Sequence, residues 1–326
     1  MTQPFDAVLL IAFGGPKAQP DIRPFLENVL RGRRVTPGRV EEVAHHYEVV
    51  GGRSPITELT ESQAAGLRTR LAASGTRLPV YVGMRNWHPY LVDTLEVMSR
   101  DGVRRALGFI MAAHRSYSSC TQYRENVRDA RAELKRRGLP DVAVTYVPDW
   151  FEHPMFIEAN ADRVQAAVRD LEPTVAGRAQ LVFTAHSIPE SMAARYPYRG
   201  QFESTASLVA ERVARGRPYT TVYQSRSGRP EDPWLGPDIC EYLREAKAAA
   251  VEAVVVSPIG FVCDHVEVLY DLDIEARGVS KEIGLPMVRA QAVNDHPRFL
   301  DMMANVVLGV CDRYERARPL ELVPVP

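Results

Sequence analysis

Apolar residues follow two rhythms along this chain. Short, largely apolar runs at residues 7–13, 79–84, 103–111, 142–147, 179–185, 219–224, 251–257 and 287–289 have strand length and little polar alternation, which predicts strands covered on both faces. Between them, residues 21–30, 89–99, 117–138, 154–171, 204–215, 238–249, 266–283 and 298–314 repeat apolar positions at helical spacing. In the first of these, Phe25, Leu26, Val29 and Leu30 share one face. Gly138 and Pro140 close the third, and Pro154 opens the fourth. Strands alternating with helices predict parallel sheets with helices on both faces. The rhythm restarts after the punctuated residues 172–177. The sequence therefore predicts two α/β domains, 1–172 and 173–326, with a cleft between them and a last helix able to pack back on the first. No sequence repeat is visible, and residues 319–326 read as a loose tail.

Composition narrows the class. Forty Lys and Arg against 41 Asp and Glu leave a net charge of −1, without the basic excess of a general nucleic-acid binder. No stretch approaches the roughly 18 apolar residues of a membrane span, and residues 1–13 do not read as a signal peptide, so a cytoplasmic protein is expected. Cys120, Cys240, Cys263 and Cys311 lack C-x-x-C or zinc-finger spacing and read as reduced thiols.

Two segments concentrate candidate chemistry. His186 ends the run 181–185, and Ser187-Ile188-Pro189 then bends the chain into a loop. Pro258 to Glu267 follows Val254-Val255-Val256 in the same way. Ligand sites in open α/β sheets lie at such carboxyl ends of strands. Imidazole with carboxylate can handle protons or a divalent metal, although a lone histidine there serves structure as readily as chemistry. Glu267, Asp271 and Glu275 are spaced i, i+4, i+8 and would share one face of a helix, with Asp264, His265 and Asp273 nearby. Such a line is either a cation path or an acidic solvated face. Its oxygen and imidazole groups suit Fe2+, Mg2+, Mn2+ or Co2+.

Gly14-Gly15-Pro16 lacks a dinucleotide fingerprint but permits close approach of a flat ligand. Gly51-Gly52-Arg53-Ser54-Pro55 is a second glycine turn. Between them stand Arg31-Gly32-Arg33-Arg34, Arg39, His45, His46 and Tyr47, a run that suits carboxylates or is a solvated basic loop. The segments 84–89, 223–228 and 233–237 carry Trp, Arg and Gly after strands, and suit a large planar acid.

These segments together resemble ferrochelatase, the enzyme that inserts Fe2+ into a porphyrin. The resemblance rests, in order, on Gly14-Gly15-Pro16, Gly51-Gly52-x-Ser54-Pro55, Met84-Arg85-x-Trp87-x-Pro89 and His186-Ser187-Ile188-Pro189. It continues through Tyr223-Gln224-Ser225-Arg226-x-Gly228, Trp234-Leu235-x-Pro237 and Pro258-Ile259-Gly260-Phe261-Val262-x-Asp264-His265-x-Glu267. It covers nearly the whole chain, and residues 85–89 and 116–124 are most similar to actinobacterial members. It implies two Rossmann-like domains of the type II chelatase fold, with parallel sheets flanked by helices and a porphyrin cleft between them. His186 and Glu267 match the catalytic, metal-handling pair, with Asp271 and Glu275 as a metal path. Arg31, Tyr47, Ser54 and Tyr123 match residues that bind coproporphyrin in the soluble bacterial branch. Arg85 belongs with these substrate-binding candidates. Phe13 stands where some members carry a tyrosine beside the metal, which excludes tyrosinate ligation. His46 replaces an arginine of other members.

The resemblance implies insertion of Fe2+ into coproporphyrin III by a cytoplasmic monomer. Porphyrin and iron are its substrates, with no nucleic-acid partner, no membrane span and no permanently bound cofactor. The scattered cysteines argue against the [2Fe–2S] cluster of many actinobacterial members. The alternatives are insertion into protoporphyrin IX, a sirohydrochlorin cobalt or iron chelatase, and a non-catalytic haem-binding protein. Whether His186 is proton acceptor or first metal ligand, and from which side iron approaches, stay open at this level.

Overall fold

The computed structural model describes residues 4–32, 37–227 and 231–316. Arg33, Arg34, Gly228 and the tail 319–326, singled out above, lie outside them. The chain divides into two compact units. The first comprises Met1–Ala112, Tyr117–Trp150 and Phe299–Pro326; the second comprises Ala113–Ser116 and Phe151–Arg298.

In the first unit β1 (Ala7–Ala12) is followed by three helices, α1 (Ile22–Leu30), α2 (Pro37–Val49) and α3 (Ile56–Ala73). Then come β2 (Val80–Met84), α4 (Leu91–Arg100), β3 (Arg105–Ile110), α5 (Gln122–Arg136) and β4 (Ala143–Tyr146). The strands pair in parallel in the order β2-β1-β3-β4. Every residue of β1 is buried, because helices cover both faces of a parallel sheet. Leu9, Ile11, Leu91, Leu95, Val127 and Leu134 build the core on one face.

The second unit begins with α6 (Pro154–Val168) and a one-turn α7 (Pro173–Ala176). It continues through β5 (Gln180–His186), a one-turn α8 (Glu190–Ala193), α9 (Tyr198–Val213), β6 (Tyr219–Gln224), α10 (Ile239–Ala248) and β7 (Val254–Ser257). Next, α11 (Val266–Val268) runs through a π-helical stretch, Leu269–Ala276, into α12 (Arg277–Glu282). Then come β8 (Met287–Arg289) and α13 (Pro297–Glu315), whose residues from Phe299 onward belong to the first unit. The strands are again parallel, in the order β6-β5-β7-β8. Asp238 starts α10 by accepting a hydrogen bond from the Cys240 N–H at 2.8 Å.

The two units thus share one strand permutation, second-first-third-fourth. Each has one point where successive connections leave in opposite directions, between β1 and β3 and between β5 and β7. Carboxyl ends of strands at that reversal form a crevice.

Three expectations change. The basic run ahead of Gly51 and the stretch beyond Pro55, for which the sequence predicts no helix, contain α2 and α3. The expected helix over 117–138 opens with a π-turn, Tyr117–Thr121, before α5. The boundary falls at Trp150/Phe151 instead of 172/173, because α6 packs on α9, β7 and β8.

Candidate active site

His186 is the last residue of β5, and Glu267 lies in α11, which follows β7. The strands on either side of the reversal in the second sheet therefore bring these two residues together. His186 Nε2 lies 3.8 Å from Glu267 Oε2, both side chains being about a third to two-fifths exposed. His186 Nδ1 bonds the Ser187 carbonyl. A carbonyl only accepts, so Nδ1 carries a proton, and Nε2 is the ring nitrogen that faces Glu267. The Tyr198 hydroxyl donates to the His186 carbonyl at 2.8 Å, and burial holds that phenol above its ordinary range. Two groups bound to one ion at about 2.1 Å each stand about 3.0–4.2 Å apart, from a right angle to a straight line. A separation of 3.8 Å therefore admits a divalent ion between His186 and Glu267 with little movement, whereas direct proton sharing needs closure to about 3 Å.

The Glu267 arm is held by close backbone contact. Gly260 N–H donates to the Thr184 carbonyl at 3.0 Å. A Cβ on Gly260 would lie 2.5 Å from Ala185 Cα, so only glycine fits against β5 there. The His265 ring caps the helix by accepting from the Glu267 N–H at 3.2 Å, and it packs edge-on against Phe261 at 5.0 Å. Burial keeps that imidazole below its ordinary value, hence neutral and able to accept.

Glu267, Asp271 and Glu275 do run along one helical segment, but residues 269–276 wind as a π-helix, correcting the expected α-helix. Asp271 is buried, while Glu275 is exposed. Burial lifts the Asp271 carboxyl to about 8; hydrogen bonds from Ser225 and Gln224 pull against that, and the Glu267 and Glu275 charges add to it. Asp264 and Asp273 belong to a separate lock. Arg289, at the end of β8, reaches Asp264 at 2.8 Å and Asp273 at 2.7 Å. Asn294 donates to Asp264 and accepts from its backbone N–H, each at 2.8 Å. Burial works against the Arg289 charge, and the two carboxylates more than offset it.

Within the first unit, Phe13, Arg85 and Tyr123 form one cluster. They follow β1, β2 and β3, and the Arg85 guanidinium lies 5.9 Å from the Phe13 ring centre and 5.8 Å from that of Tyr123. Tyr47, on α2, is buried edge-on against Phe25 at 5.7 Å, and Phe25 also meets Phe13 and Trp87. Ser54 is buried, its N–H on the Pro16 carbonyl at 2.8 Å; a Cβ on Gly15 would lie 2.6 Å from that of Ser54. Arg31 is exposed after α1 and braced by Asn28 at 2.6 Å, and Asn28 in turn donates to the Tyr90 hydroxyl at 2.8 Å. His46 is half-buried on α2. This unit thus collects aromatic faces and cations, and the second collects imidazole and carboxylates.

Sequence reasoning placed Gln224 only within a ligand-suited segment, without a role, and missed Thr184, Tyr198 and Arg289. A signal existed for two of them. Gln224 and Arg289 are polar residues that end apolar strands, as His186 does. Nothing in the sequence pairs them with Asp271, Asp264 or Asp273.

Among the described residues, no helix is long and apolar enough to cross a membrane, and no three His, Cys, Asp or Glu side chains are grouped to hold a metal ion. The ferrochelatase family model matches residues 5–309. A protein of Streptomyces coelicolor named coproporphyrin III ferrochelatase is 45% identical over 319 residues, spanning 94% of this chain and 85% of that one. One of the same name from Nocardia farcinica is 43% identical, spanning 96% and 92%. A protein of Rhodopirellula baltica named ferrochelatase is 46% identical, spanning 93% and 86%. Among solved structures, the sirohydrochlorin chelatase SirB of Bacillus subtilis subspecies spizizenii, in complex with cobalt, shares the fold. It has a TM-score of 0.56 at 12% identity over 95% of this chain and 97% of that one. The parallel sheets, the strand-end pair and the full-length match agree, and the chain belongs to the ferrochelatase family.

Proposed function

We propose that this chain inserts Fe2+ into coproporphyrin III to give coprohaem, with His186 and Glu267 as the reacting pair. The observation that carries the reading is His186 Nε2 facing the Glu267 carboxylate at 3.8 Å, with Nδ1 tied to the Ser187 carbonyl. Insertion needs a macrocycle bent out of plane, removal of two pyrrole protons, and Fe2+ stripped of water. Bending exposes nitrogen lone pairs that a flat ring hides, and binding energy at the rim supplies the strain. One of His186 Nε2 and the Glu267 carboxylate then accepts the two pyrrole protons in turn, passing the first to solvent before taking the second, while the other holds the arriving ion. Asp271 and Glu275 lead oxygen ligands from Glu267 out to solvent.

The rim contacts belong to the first unit. Arg31, Arg85, Tyr47, Ser54, Tyr123 and His46 supply cations and donors for propionates, and Phe13 supplies an apolar face. Four propionates need more such partners than two, and this favours coproporphyrin III over protoporphyrin IX. The names of the actinobacterial relatives support the same choice.

We also propose that the chain works without a resident [2Fe–2S] cluster. Cys120, Cys240, Cys263 and Cys311 stand on four separate segments, and burial raises the thiols of Cys240 to about 12 and Cys311 to about 11. A monomer is the matching assembly. The large exposed apolar side chains of the described residues, such as Val97, Leu208 and Ile274, stand on different elements.

The test is anaerobic incubation with Fe2+ and either porphyrin, monitored at the Soret band. Coproporphyrin III is expected to be metallated faster. His186→Ala is expected to lose about 100-fold or more in rate while still binding porphyrin. Preference for protoporphyrin IX would overturn the substrate assignment alone, and near-normal turnover of His186→Ala would overturn the reacting pair.

A further inference from the structure

Gln224 occupies an unusual junction. It ends β6 directly opposite His186 in the parallel ladder. Its carbonyl accepts from the Ser187 N–H at 2.7 Å, just beyond His186. Its side chain turns the other way, to the helix that carries Glu267. Nε2 donates to the Glu267 carbonyl at 3.1 Å and to Asp271 Oδ2 at 3.3 Å, while Oε1 accepts from Thr184 Oγ1 at 2.7 Å. Gln224 and Thr184 are both fully buried.

The orientation of this amide is fixed by chemistry alone. The Glu267 carbonyl can only accept, so the NH2 end must face it. The carbonyl end then faces Thr184, whose hydroxyl must donate. Both amide hydrogens are used, and a flipped amide would set oxygen against oxygen at the Glu267 carbonyl. A buried polar group that loses such a partner is costly, so the arrangement has one stable form. Glu267 and Asp271 bracket the residues where the helix changes from α to π at Leu269. The amide therefore clasps the first wide turn at both ends and ties it to the strand pair that carries His186.

We propose that Gln224 is a positioning residue for metal insertion. Its side-chain amide, oriented by Thr184, sets the Glu267 backbone and the Asp271 carboxylate in register with His186, so that an arriving ion meets a preformed pair. This rests on the reading of His186 and Glu267 as the reacting pair. Gln224 touches neither porphyrin contacts nor reacting atoms, so its loss should be felt by iron and not by the porphyrin.

The experiment compares Gln224→Met, Thr184→Val, Thr184→Ser and the double variant Gln224→Met/Thr184→Val, with His186→Ala and Glu267→Gln as references. Rates are measured against Fe2+ and against coproporphyrin III separately, and Co2+ binding is titrated without porphyrin. Gln224→Met, close in shape but unable to donate, is expected to lose about 10- to 100-fold in kcat/KM for Fe2+, the range a misplaced site costs. Co2+ affinity should fall with it, and the KM for porphyrin should stay within about twofold. Thr184→Val should lose less, about 3- to 10-fold, and Thr184→Ser should restore most of that loss. In the double variant, Thr184→Val should add almost nothing, because its effect runs through the amide.

Gln224→Met with unchanged Fe2+ kinetics, or with porphyrin KM and Fe2+ KM rising together, would overturn the proposal. If Gln224→Met does not fold, the Thr184 pair decides. Loss in Thr184→Val with recovery in Thr184→Ser supports the proposal, and equal rates in both overturn it. Near-normal rates in His186→Ala and Glu267→Gln would instead remove the site reading, and the proposal with it. Losses there beside a silent Gln224→Met would remove the proposal alone.

Discussion

Asp271→Asn is expected to stabilise the fold, and to do so more strongly as pH rises. The folded carboxyl is raised to about 8, chiefly by burial, whereas an unfolded aspartate titrates near about 3.9. Between those values the folded chain keeps a proton that the unfolded chain has released. The unfolded state then binds fewer protons, so stability falls with rising pH, by about 1.4 kcal/mol per unit for this one group. The penalty is absent below about pH 4 and complete above about pH 8, where about four units amount to an upper bound of about 5 kcal/mol. Asparagine removes the ionisable group and keeps the acceptor. Ser225 and Gln224 both bond one oxygen, Oδ2, which the amide oxygen can replace. Urea unfolding of both proteins at pH 5, 6.5 and 8 and constant ionic strength isolates the term, since every other titration cancels in the difference. The advantage of the variant should be about 1–2 kcal/mol at pH 5 and grow by a few kcal/mol toward pH 8. A difference that stays flat from pH 5 to 8, or a variant less stable at pH 8, would refute the reasoning.

Gly260→Ala should cost about 1–3 kcal/mol, because its Cβ meets the Ala185 backbone rather than a yielding side-chain tip. Pushing that loop outward should also weaken Fe2+ use without touching porphyrin KM, which steady-state kinetics would detect. Arg289→Met leaves Asp264 to Asn294 and Asp273 to the longer Arg277 contact, and should cost about 3–5 kcal/mol at pH 7 by denaturant unfolding. Arg31→Ala should raise KM for coproporphyrin III by about 10- to 100-fold, the worth of one charge-assisted contact, with less effect on kcat and on protoporphyrin IX. Equal losses with both porphyrins in titration would contradict that choice.

The strands were readable because a parallel sheet buried on both faces shows as unbroken apolar runs, and β6 and β8 match their predicted limits. His186 and Glu267 were readable because each closes or follows such a run. α3 was not. Its buried face is built from Ile56, Thr57, Thr60, Gln63, Ala64, Leu67 and Leu71, so three of the seven are polar and the helical period is muted. α2 opens with Pro37 and Gly38, which read as a loop until the helix beyond them is known. The punctuation at 172–177 marked a true turn, but a turn does not say which sheet covers the helix before it, and α6 lies with β7 and β8. Gln224, Thr184 and Arg289 act through partners 16 to 47 positions away, a pairing that hydrophobic rhythm does not encode.

The shared strand permutation bears on how such a protein can change over generations. One set of strand ends presents Phe13, Arg85 and Tyr123, and the other presents His186 and the loop to Glu267. Loops on separate sheets can be substituted, lengthened or shortened without disturbing each other's hydrogen-bond ladders. On the proposed roles, preference for a particular tetrapyrrole is then free to drift at positions 31, 46, 47, 54, 85 and 123, while the ion-handling half is retained. A library randomised at those positions alone should yield altered porphyrin choice with metal preference intact, whereas changes at 186, 224, 267 or 271 should move the metal response and leave choice of macrocycle where it was.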